Sequence, residues 1–321
     1  MEPALSEPLV SVILVTWNSA PYLRRCLAGI AAQSHRNVEL LAVDNASHDD
    51  SAALAEGAGF RVVRNGANVG YSAAMNQAFA LARGEYLLAV NPDAFLEPDY
   101  IRNLVQALEE AGESFGSATG KLLKAEGHEI RPTARVDSAG MRMTRTGRHL
   151  DVTTCDATQW FEVFGVSGAA AMYRASFLRD VTLDGEVLDE DFFAYREDAD
   201  LAWRARLFGW RALCEPRAIG YHVRRVTPET RRDLPPIVNM HSVKNRFLLR
   251  SKNEGWYLAL RNAPFTLFRD LVVIVAALTV ERTSLPAFAW LWRNRARIAA
   301  KRRAVQQRRR VSDRELARWF R

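Results

Sequence analysis

Short apolar runs alternate with amphipathic segments along the first third of the chain. Each run is four to seven residues long and mostly apolar, which is typical of a strand buried on both faces. The intervening segments carry apolar residues at helical spacing. The predicted strands are Leu9–Val15, Val38–Val43, Phe60–Val63 and Tyr86–Val90, and the predicted helices are Pro21–Gln33, one beginning at Asp49, Tyr71–Ala82 and Pro98–Ala111. This alternation predicts an α/β fold built on a mostly parallel, doubly wound sheet.

The pattern changes in the remainder of the chain. Between Gly116 and Trp160 it is irregular, and we expect hairpins or a loop-rich insertion there. An apolar strand follows over Phe161–Tyr173, where Gly168 indicates the close approach of a ligand or another backbone. The further predicted elements are a helix over Asp198–Phe208, extended pieces over Arg211–Pro216 and Ala218–His222, and helices over Ile237–Leu249, Pro264–Val280, Pro286–Trp292 and Arg293–Arg321. We predict an α/β domain over residues 1–230, with halves at 1–115 and 116–230, and a helical, basic extension over 231–321.

Net charge is distributed unevenly along the chain. Of the overall +7, the segment Leu291–Arg321 carries twelve basic against two acidic residues, a surplus of ten, so the other 290 residues sum to −3. A mildly acidic body differs from a wholly basic nucleic-acid binder, and no base-stacking module accompanies the charge, so we predict no nucleic-acid partner. An apolar, Trp-bearing helix before a polybasic one is typical of membrane-surface binding, at about 1 kcal/mol per basic residue. The alternative is a helix pair that covers the sheet with a solvated basic face.

Cysteine usage and hydropathy indicate the compartment. Cys26, Cys155 and Cys214 form neither a disulfide framework nor a zinc pattern, which favours a reducing environment. The N-terminal residues show no signal-peptide pattern. The longest uncharged apolar run, Leu271–Val280, has ten residues, half of the roughly 20 that span a bilayer. We predict a cytoplasmic protein that is peripheral on the inner face of the cell membrane through its basic tail.

Polar side chains follow three of the predicted strands at the point where each strand ends. Pro92 cannot donate to a sheet ladder, so the run Tyr86–Val90 must end before it and Asp93 lies in the loop beyond. The carboxyl ends of parallel strands meet at one edge of a sheet, where ligands bind in open α/β folds. Asp93 is therefore a candidate metal or diphosphate site, with a turn or helix-cap aspartate as the alternative. The converging clusters are Thr16 with Asn18, Asp44 with Asn45, and Asn91 with Asp93.

Two common nucleotide-binding motifs are absent. A dinucleotide-binding fold needs a G-x-G-x-x-G turn after its first strand, and this chain has TWNSAP there. The segment Gly116–Lys121 has three residues between its glycines, one fewer than a P-loop requires.

Six motifs in order instead resemble glycosyltransferase family 2, and most closely its bacterial rhamnosyltransferase-type members. They are VSVILVTWN, the VDNAS turn, NVGYSAAMN, YLLAVNPDA, VSGAAAMYR and FFAYREDADLAWR, spread over about Val10–Arg225. The resemblance implies a GT-A fold, a nucleotide-sugar donor, a divalent metal (Mg²⁺ or Mn²⁺) and inversion at the anomeric carbon. It assigns the first half of the α/β domain to the nucleotide and the second half to the acceptor and catalysis.

The same resemblance implies donor-binding roles by position. Asp44 matches the aspartate that accepts a hydrogen bond from the pyrimidine base, and Asn45 departs from the commoner second aspartate. Asn91 stands where many members have the first aspartate of Asp-x-Asp. The other implied donor-binding residues are Thr16, Asn18, Asn68, Gly70, Asn76 and Gly168.

For the metal, the resemblance implies Asp93 and His222. Arg224 or Arg225 would help the metal to stabilise the departing diphosphate. A histidine at a strand end is the structural alternative for His222. Glu197 and Asp198 match the family's ED pair, whose aspartate is the catalytic base.

Inverting transfer needs one carboxylate to take the proton of the acceptor hydroxyl and a cation beside the departing diphosphate. From the residues alone, Glu197 and Asp198 are equally well explained as an acid pair stabilised by a helix N-terminus. Asp200 and Glu190 are supporting candidates in the surroundings of this pair.

The NPDA form and the Asp44-Asn45 turn look like members that use dTDP-L-rhamnose, with UDP-sugars as the alternative donors. The expected acceptor is a glycan on a polyprenyl diphosphate or another cell-envelope glycan. Two other classes compete. A sugar nucleotidyltransferase needs a Gly-rich, basic signature after the first strand, which TWNSAPYL lacks, and a non-catalytic nucleotide-sugar binder is disfavoured by the intact ED pair.

Overall fold

A computed structural model of the protein describes residues 7–126, 131–224 and 236–321. Most of its strands form one ten-stranded sheet. The strands are β1 Val10–Thr16, β2 Val38–Asp44, β3 Arg61–Arg64, β4 Tyr86–Val90, β5 Ala94–Leu96, β6 Phe115–Glu126, β7 Arg131–Ser138, β8 Met141–Met143, β9 His149–Asp151, β10 Phe161–Val163, β11 Ala170–Arg174 and β12 Arg211–His222. The helices are α1 Ala20–Ala31, α2 Ser51–Gly57, α3 Tyr71–Leu81, α4 Tyr100–Ala111, α5 Ala175–Val181, α6 Glu197–Leu207, α7 Pro236–Asn253, α8 Trp256–Thr279, α9 Pro286–Arg293, α10 Arg295–Gln307 and α11 Asp313–Leu316.

The sheet has the order β10-β12-β6-β11-β4-β1-β2-β3, with β5 paired to β12 and β7 to β6. In β1 successive side chains point to opposite faces, so Val12 and Leu14 join one apolar cluster while Ile13 and Val15 join the other. Because helices cover both faces, the strand is apolar at nearly every position. The predicted α/β class is confirmed by this arrangement.

The parallel order holds only for the block β3-β2-β1-β4. Beyond it the sheet is mixed, because β11 runs antiparallel to both β4 and β6 whereas β12 runs parallel to β6. The backbone N–H of Asn91 donates to the carbonyl of Ala169 at 2.8 Å, so β11 begins beside the end of β4 and must run against it. The prediction of a mostly parallel sheet was therefore wrong for this half, because an apolar run predicts a buried strand but not the direction in which the strand runs.

The irregular region contains more regular structure than its sequence suggests. β6 and β7 form an antiparallel hairpin, as do β8 and β9, which agrees with the predicted hairpins. β6, however, is a twelve-residue strand in the middle of the main sheet rather than part of an insertion. The glycines of β6 allow neighbouring segments to pack closely, since a Cβ on Gly120 would lie 2.1 Å from the carbonyl oxygen of Ala218. The same glycines interrupt the apolar pattern by which a buried strand is predicted from sequence.

Two helix boundaries in the C-terminal part also differ from the prediction. α8 begins at Trp256 and includes Pro264, which lies on an exposed side of the helix. The predicted helix over Arg293–Arg321 is divided into α10 and α11, and Ser312 begins the second of these with a capping box. α8 is the one described helix that is long and apolar enough to cross a membrane by length and composition.

The basic C-terminal helices pack against the acidic body through ion pairs. Lys301 of α10 contacts Glu186, Asp189 and Asp191. Arg308 and Arg310 both contact Asp180, at 3.2 and 3.0 Å. Part of the tail's positive charge is therefore matched by carboxylates of the body. The predicted domain boundary at residues 230 and 231 lies outside the described residues.

Candidate functional site

The first cluster forms where β1 and β2 end side by side. The register pairs Thr16 with Asp44, and the Thr16 hydroxyl donates to Asp44 Oδ1 at 2.7 Å. Ser47 donates its hydroxyl to the same oxygen at 2.6 Å and its backbone N–H to Oδ2 at 3.0 Å. A carboxylate has about four acceptor positions, so Asp44 retains room for one more donor. Ser47 was not predicted, although it lies in the VDNAS turn.

The neighbouring polar residues shape the same pocket. Asn18 has a φ of 49°, and its Oδ1 accepts from the backbone N–H of His48 at 2.8 Å. Asn45 donates to the carbonyl of Gly70 at 3.1 Å, and the backbone N–H of Gly70 donates to Asn68 Oδ1 at 2.9 Å. The structure thus brings six of the predicted donor-binding residues into one connected network at the carboxyl edge of β1 and β2.

Gly70 is sterically required. Its φ is +90°, and a Cβ there would lie 2.6 Å from the ring of Phe193 and 2.8 Å from that residue's carbonyl oxygen. We expect Gly70→Ala to lower the free energy of unfolding by about 1–3 kcal/mol, because both strain and overlap oppose the side chain. Urea unfolding measures the change. Gly66→Ala, where a Cβ meets nothing within 4 Å, is the control, and equal stabilities of the two variants would contradict the prediction.

Asn76 lies in a different environment from the one predicted. Its Nδ2 donates to the carbonyl of Leu188 at 2.8 Å and to Glu190 Oε1 at 3.1 Å, while its Oδ1 accepts from the Leu188 N–H at 2.9 Å. Its amide is used to tie α3 to the segment that precedes α6. Glu190 is thus engaged with α3, and a contact of Asn76 with the donor stays a prediction.

The second cluster is centred on Asp93. β5 follows Asp93 directly, and its Ala94 pairs with His222 at the end of β12, so strand pairing sets the two side chains together. His222 Nε2 lies 3.5 Å from Asp93 Oδ1, and His222 Nδ1 lies 2.8 Å from Asp137 Oδ2. Burial alone would lower the pKa of His222, but the hydrogen bonds with Asp137 and Asp93 outweigh it and raise the pKa to about 9.

These residues fit a divalent metal in part. Two ligands of one ion, each about 2.1 Å from it, lie roughly 3 Å apart at a right angle, close to the observed separation of Asp93 and His222. Asp137 would orient the imidazole, as carboxylates commonly do for metal-bound histidines. Among the described residues no group of three or more His, Cys, Asp or Glu side chains could hold a metal. The remaining ligands would have to come from a diphosphate and water.

Arg224 does not extend this cluster toward a ligand. Its guanidinium donates to Asp137 at 3.0 and 3.1 Å and to Asp151 at 2.8 Å. Both contacts are with carboxylates on the β7 and β9 side, so Arg224 helps to fix Asp137 instead of contacting a diphosphate. Arg225 lies outside the described residues.

The acid pair stands at the N-terminus of α6. Asp198 Oδ1 accepts from the Ala199 N–H at 2.7 Å, and Oδ2 accepts from the Gly168 N–H at 3.3 Å. Burial raises the pKa of Asp198, and burial together with the charge of Asp198 raises the pKa of Glu197 to about 8. Glu197 Oε2 is buried without a hydrogen-bond partner in the described structure. Asp198 is thus the carboxylate that backbone donors stabilise in its charged form, and Glu197 holds the proton at neutral pH.

Gly168 acts as a backbone donor to Asp198. A Cβ on Gly168 would lie 3.4 Å from Asp198 Oδ2, which is ordinary contact. A side chain would therefore fit here, and the described part of the chain makes no close backbone approach that requires glycine at this position. Whether Gly168 also meets a donor sugar stays a prediction.

The backbone before the acid pair is held in an uncommon conformation. Phe193, Tyr195 and Arg196 have φ values of 65°, 71° and 72°, in the left-handed region that side chains other than glycine rarely adopt. Asn245 of α7 donates its amide to the carbonyls of Phe192, Ala194 and Tyr195 at 2.9, 2.8 and 2.7 Å. The segment that presents Glu197 and Asp198 is therefore clamped by the C-terminal helices, which sequence analysis had not linked to the site.

Asp200 belongs to this support as well. Its Oδ2 accepts from Lys252 at 2.8 Å and its Oδ1 from Asn253 at 2.7 Å. Both partners lie at the end of α7 and are almost fully buried. Asp200 thus connects α6 to α7 and is not placed to contact a substrate.

Tyr71, at the start of α3, was also missed by sequence analysis. Its side chain is half-buried, and its pKa is raised first by burial and then by the charges of Glu197, Asp198 and Asp93. One side chain therefore lies within the electrostatic reach of the acid pair and of the candidate metal ligand.

Comparison with known proteins bears on this site. A family model described as glycosyl transferase family 2 matches residues 11–182, more than half of the chain. The N-acetylglucosaminyl-diphospho-decaprenol L-rhamnosyltransferase of Mycobacterium tuberculosis is 27% identical over 280 residues, which cover 78% of this chain and 87% of that relative.

Two solved structures resemble the fold. The mannosyltransferase PcManGT from Pyrobaculum calidifontis, in complex with GDP-Man and Mn²⁺, has a TM-score of 0.56 at 18% identity and covers 93% of this chain and 85% of its own. GalNAc-T7 with UDP, GalNAc and Mn²⁺ has a TM-score of 0.62 at 15% identity, over 76% of this chain and 48% of its own. At such identities the likeness concerns the fold alone.

Proposed function

Because this chain belongs to glycosyltransferase family 2 and has the GT-A fold, we propose that it is an inverting transferase that moves L-rhamnose from dTDP-L-rhamnose to a glycan hydroxyl. The acceptor would be a glycan on a polyprenyl diphosphate. The alignment with a relative whose name specifies L-rhamnosyl transfer to a decaprenol-linked sugar, over 78% of this chain, supports both parts of the proposal. The observation that carries it is the acid pair at the N-terminus of α6, in which Glu197 is buried and Asp198 is half-buried and held by the N–H groups of Gly168 and Ala199.

Asp198 would be the general base. In its charged form it takes the proton of the acceptor hydroxyl while that oxygen attacks the anomeric carbon, and the bond to the diphosphate breaks on the opposite face. The N–H groups of Gly168 and Ala199 keep the carboxylate ionised and oriented. Glu197, protonated beside it, adds no second negative charge at neutral pH.

The donor would lie along the first cluster. The unused acceptor position of Asp44 fits the ring N–H of thymine or uracil, while Thr16 and Ser47 hold the carboxylate in place. The wall around the base would be formed by Thr16, Asn18, Asn45, Asn68 and Gly70. Asn91 would lie on the side of the diphosphate. A pyrimidine N–H is common to dTDP and UDP, so a UDP-sugar is the alternative donor.

Asp93 and His222 would hold a divalent ion, Mg²⁺ or Mn²⁺, beside the diphosphate. When bound, the ion supplies positive charge to the leaving group. Asp137 holds His222 by its Nδ1, so that Nε2 faces Asp93. With one carboxylate fewer than the Asp-x-Asp pattern, the protein contributes few ligands and binding of the metal should depend strongly on the nucleotide.

A thermal-shift panel with dTDP-, UDP- and GDP-sugars, each with and without Mg²⁺ or Mn²⁺, tests the donor assignment. We expect the largest stabilisation with dTDP-rhamnose and metal, because a ligand that binds the native state raises its stability by mass action. A shift with GDP-sugars alone would overturn it. Donor binding without any turnover on polyprenyl-linked acceptors would instead favour a non-catalytic nucleotide-sugar binder.

The same assay tests the metal site. We expect Asp137→Asn to raise by about 10–100-fold the metal concentration that is needed for the metal-dependent part of the thermal shift. Loss of a partner that orients a metal ligand lowers metal affinity by this factor in known sites. His222→Asn should abolish that part. Glu126→Gln, at the far end of the same β6–β7 hairpin, is the control. A metal response that is unchanged in Asp137→Asn would remove His222 from the proposed ligands.

We also place the enzyme at the inner face of the cell membrane, where a polyprenyl-linked acceptor is held. Lys301, Arg308 and Arg310 of the basic tail predicted as the anchor are paired with Asp180, Asp189 and Asp191. Deleting Leu291–Arg321 would therefore expose these carboxylates and disturb the body, so deletion does not isolate the contribution of the tail.

A further inference from the structure

Exposed apolar side chains are concentrated in one segment of the described chain. Of seventeen large hydrophobic residues that are exposed, thirteen lie between Trp256 and Trp292. Only 17% of the most apolar window of α8 is buried. A contiguous patch of this kind marks a surface that another partner covers.

The exposed residues of α8 form one stripe. We name it the α8 apolar face. Its members are between 49% and 70% exposed, and their separations of seven, one, three, four and three positions place them on one side of a helix. Over 24 residues the helix extends about 36 Å. The face consists of Leu260, Leu267, Phe268, Leu271, Val275 and Leu278, whereas Leu258, Asn262, Thr266 and Ala277 are buried on the opposite side.

The opposite side of α8 is fixed to the body. Asp270, in the middle of the helix, pairs with Arg250 at 2.6 Å and with Arg246 at 3.2 Å, both on α7. Near its start, the Arg145 guanidinium lies 4.0 Å from the centre of the Phe265 ring. A helix that is tied along its length in this way lies on the surface of the protein, and its apolar face points outward.

The composition around the face indicates the partner. From Arg282 to Ser312 the chain has ten basic residues and no acidic residue. Arg282, Arg293, Arg295 and Arg303 are exposed. Trp256 and Trp292, each 69% exposed, stand at the two ends of the apolar segment. Apolar residues beside arginines and interfacial tryptophans are the pattern of a helix that lies in the plane of an anionic bilayer surface.

We propose that the α8 apolar face inserts into the interfacial layer of an anionic phospholipid membrane, parallel to its plane, and that it is the principal anchor of the enzyme. The exposed arginines of α9 and α10 then contact lipid headgroups. The benefit of this anchor rests on the proposed function, because it would hold the acid pair near an acceptor that stays in the membrane. Insertion itself requires neither donor nor acceptor.

Vesicle co-sedimentation with the full chain tests the proposal. We expect the wild type to bind vesicles of phosphatidylcholine with phosphatidylglycerol, and the variant Leu267→Ser/Phe268→Ser/Leu271→Ser to bind at least tenfold more weakly. The single change Leu271→Ser should weaken binding severalfold. Ile237→Ser is its matched control, because Ile237 is 52% exposed, compared with 60% for Leu271, and lies outside the face. All four positions are at the surface, so the variants should fold.

Three results would overturn the proposal: a wild type that does not bind the vesicles, a triple variant that binds as the wild type does, or a dimer in sedimentation velocity that the triple variant abolishes. The last would assign the face to a second copy of the chain. Resistance of the bound protein to alkaline carbonate would overturn the in-plane arrangement in favour of a spanning helix. The assay contains no nucleotide sugar, so failure leaves the proposed transferase untouched, and failure of transfer to soluble acceptors leaves the anchor untouched.

Discussion

Asp198→Asn is expected to lower kcat by about 10²–10⁴-fold, the range attributed to a positioned general base. Asparagine has nearly the same shape and can still accept from the Ala199 N–H, but it cannot take a proton from an acceptor hydroxyl. The nucleotide cluster around Asp44 is formed by other side chains, so donor affinity should change little. Steady-state transfer to a polyprenyl-linked acceptor and calorimetry with dTDP-rhamnose measure the two effects separately.

Glu197→Gln is the matched comparison. The pKa of Glu197, raised by burial and by Asp198 to about 8, leaves this residue mainly protonated at pH 7. A neutral glutamine therefore imitates it, and activity at pH 7 should remain within about tenfold of the wild type. Asp184→Asn, at an exposed turn, controls for the loss of a carboxylate. A Glu197→Gln variant as inactive as Asp198→Asn would show that the roles within the pair are wrongly assigned.

The pH profile follows from the same pair. Because burial raises the pKa of Asp198, the base becomes protonated at a higher pH than a free aspartate does, and kcat/KM should fall as pH decreases through that raised value. The acid limb should therefore lie at a higher pH than the ordinary pKa of a free aspartate would give. An acid limb at the ordinary value of a free carboxyl would mean that the acceptor site is open to water.

Sequence alone located those parts of the site that are set by local structure. Thr16, Asp44 and Asp93 each follow a short apolar run, and parallel pairing of β1 with β2 and β4 brings such strand ends together. The position of Glu197 and Asp198 at the start of a helix was equally local. For these residues, a strand or helix boundary is sufficient to determine where the side chain lies.

The remainder depends on pairings between distant segments. Asp137 belongs to a hairpin in the irregular region, and only the folded sheet places it beside His222, 85 residues later. Asn245 reaches the backbone of residues 192–195 from about fifty positions away. Nothing in the sequence around an asparagine of an amphipathic helix indicates that its amide will bond to the backbone of so distant a segment. In the same way, the carboxylates that engage Arg224 and the amide contacts of Asn76 became visible only in three dimensions.

Lys252→Met is expected to lower the free energy of unfolding by about 3–5 kcal/mol, the cost of removing one partner from a buried ion pair. Lys252 is 1% exposed, and its ammonium bonds to Asp189 and Asp200. Methionine fills the same space but leaves Asp200 with Asn253 alone. Because Asp200 lies two residues after Asp198, the loss should also reduce kcat, while donor affinity changes little. Chemical unfolding and steady-state kinetics measure the two consequences.

A double variant separates this ion pair from a general packing defect. In Lys252→Met/Asp200→Asn the charge of Asp200 is removed together with Lys252, while Asp189 keeps its contact with Lys301, so the double variant should be about 1–3 kcal/mol more stable than the sum of the single changes predicts. Lys124→Met, at a half-buried lysine of β6, is the control for loss of a lysine elsewhere. Strict additivity would contradict the view that α7 holds α6, which carries the proposed base, through this charge. A favourable interaction energy between the two changes, with a kcat of the double variant above that of Lys252→Met, would instead show that contacts of the C-terminal helices support activity.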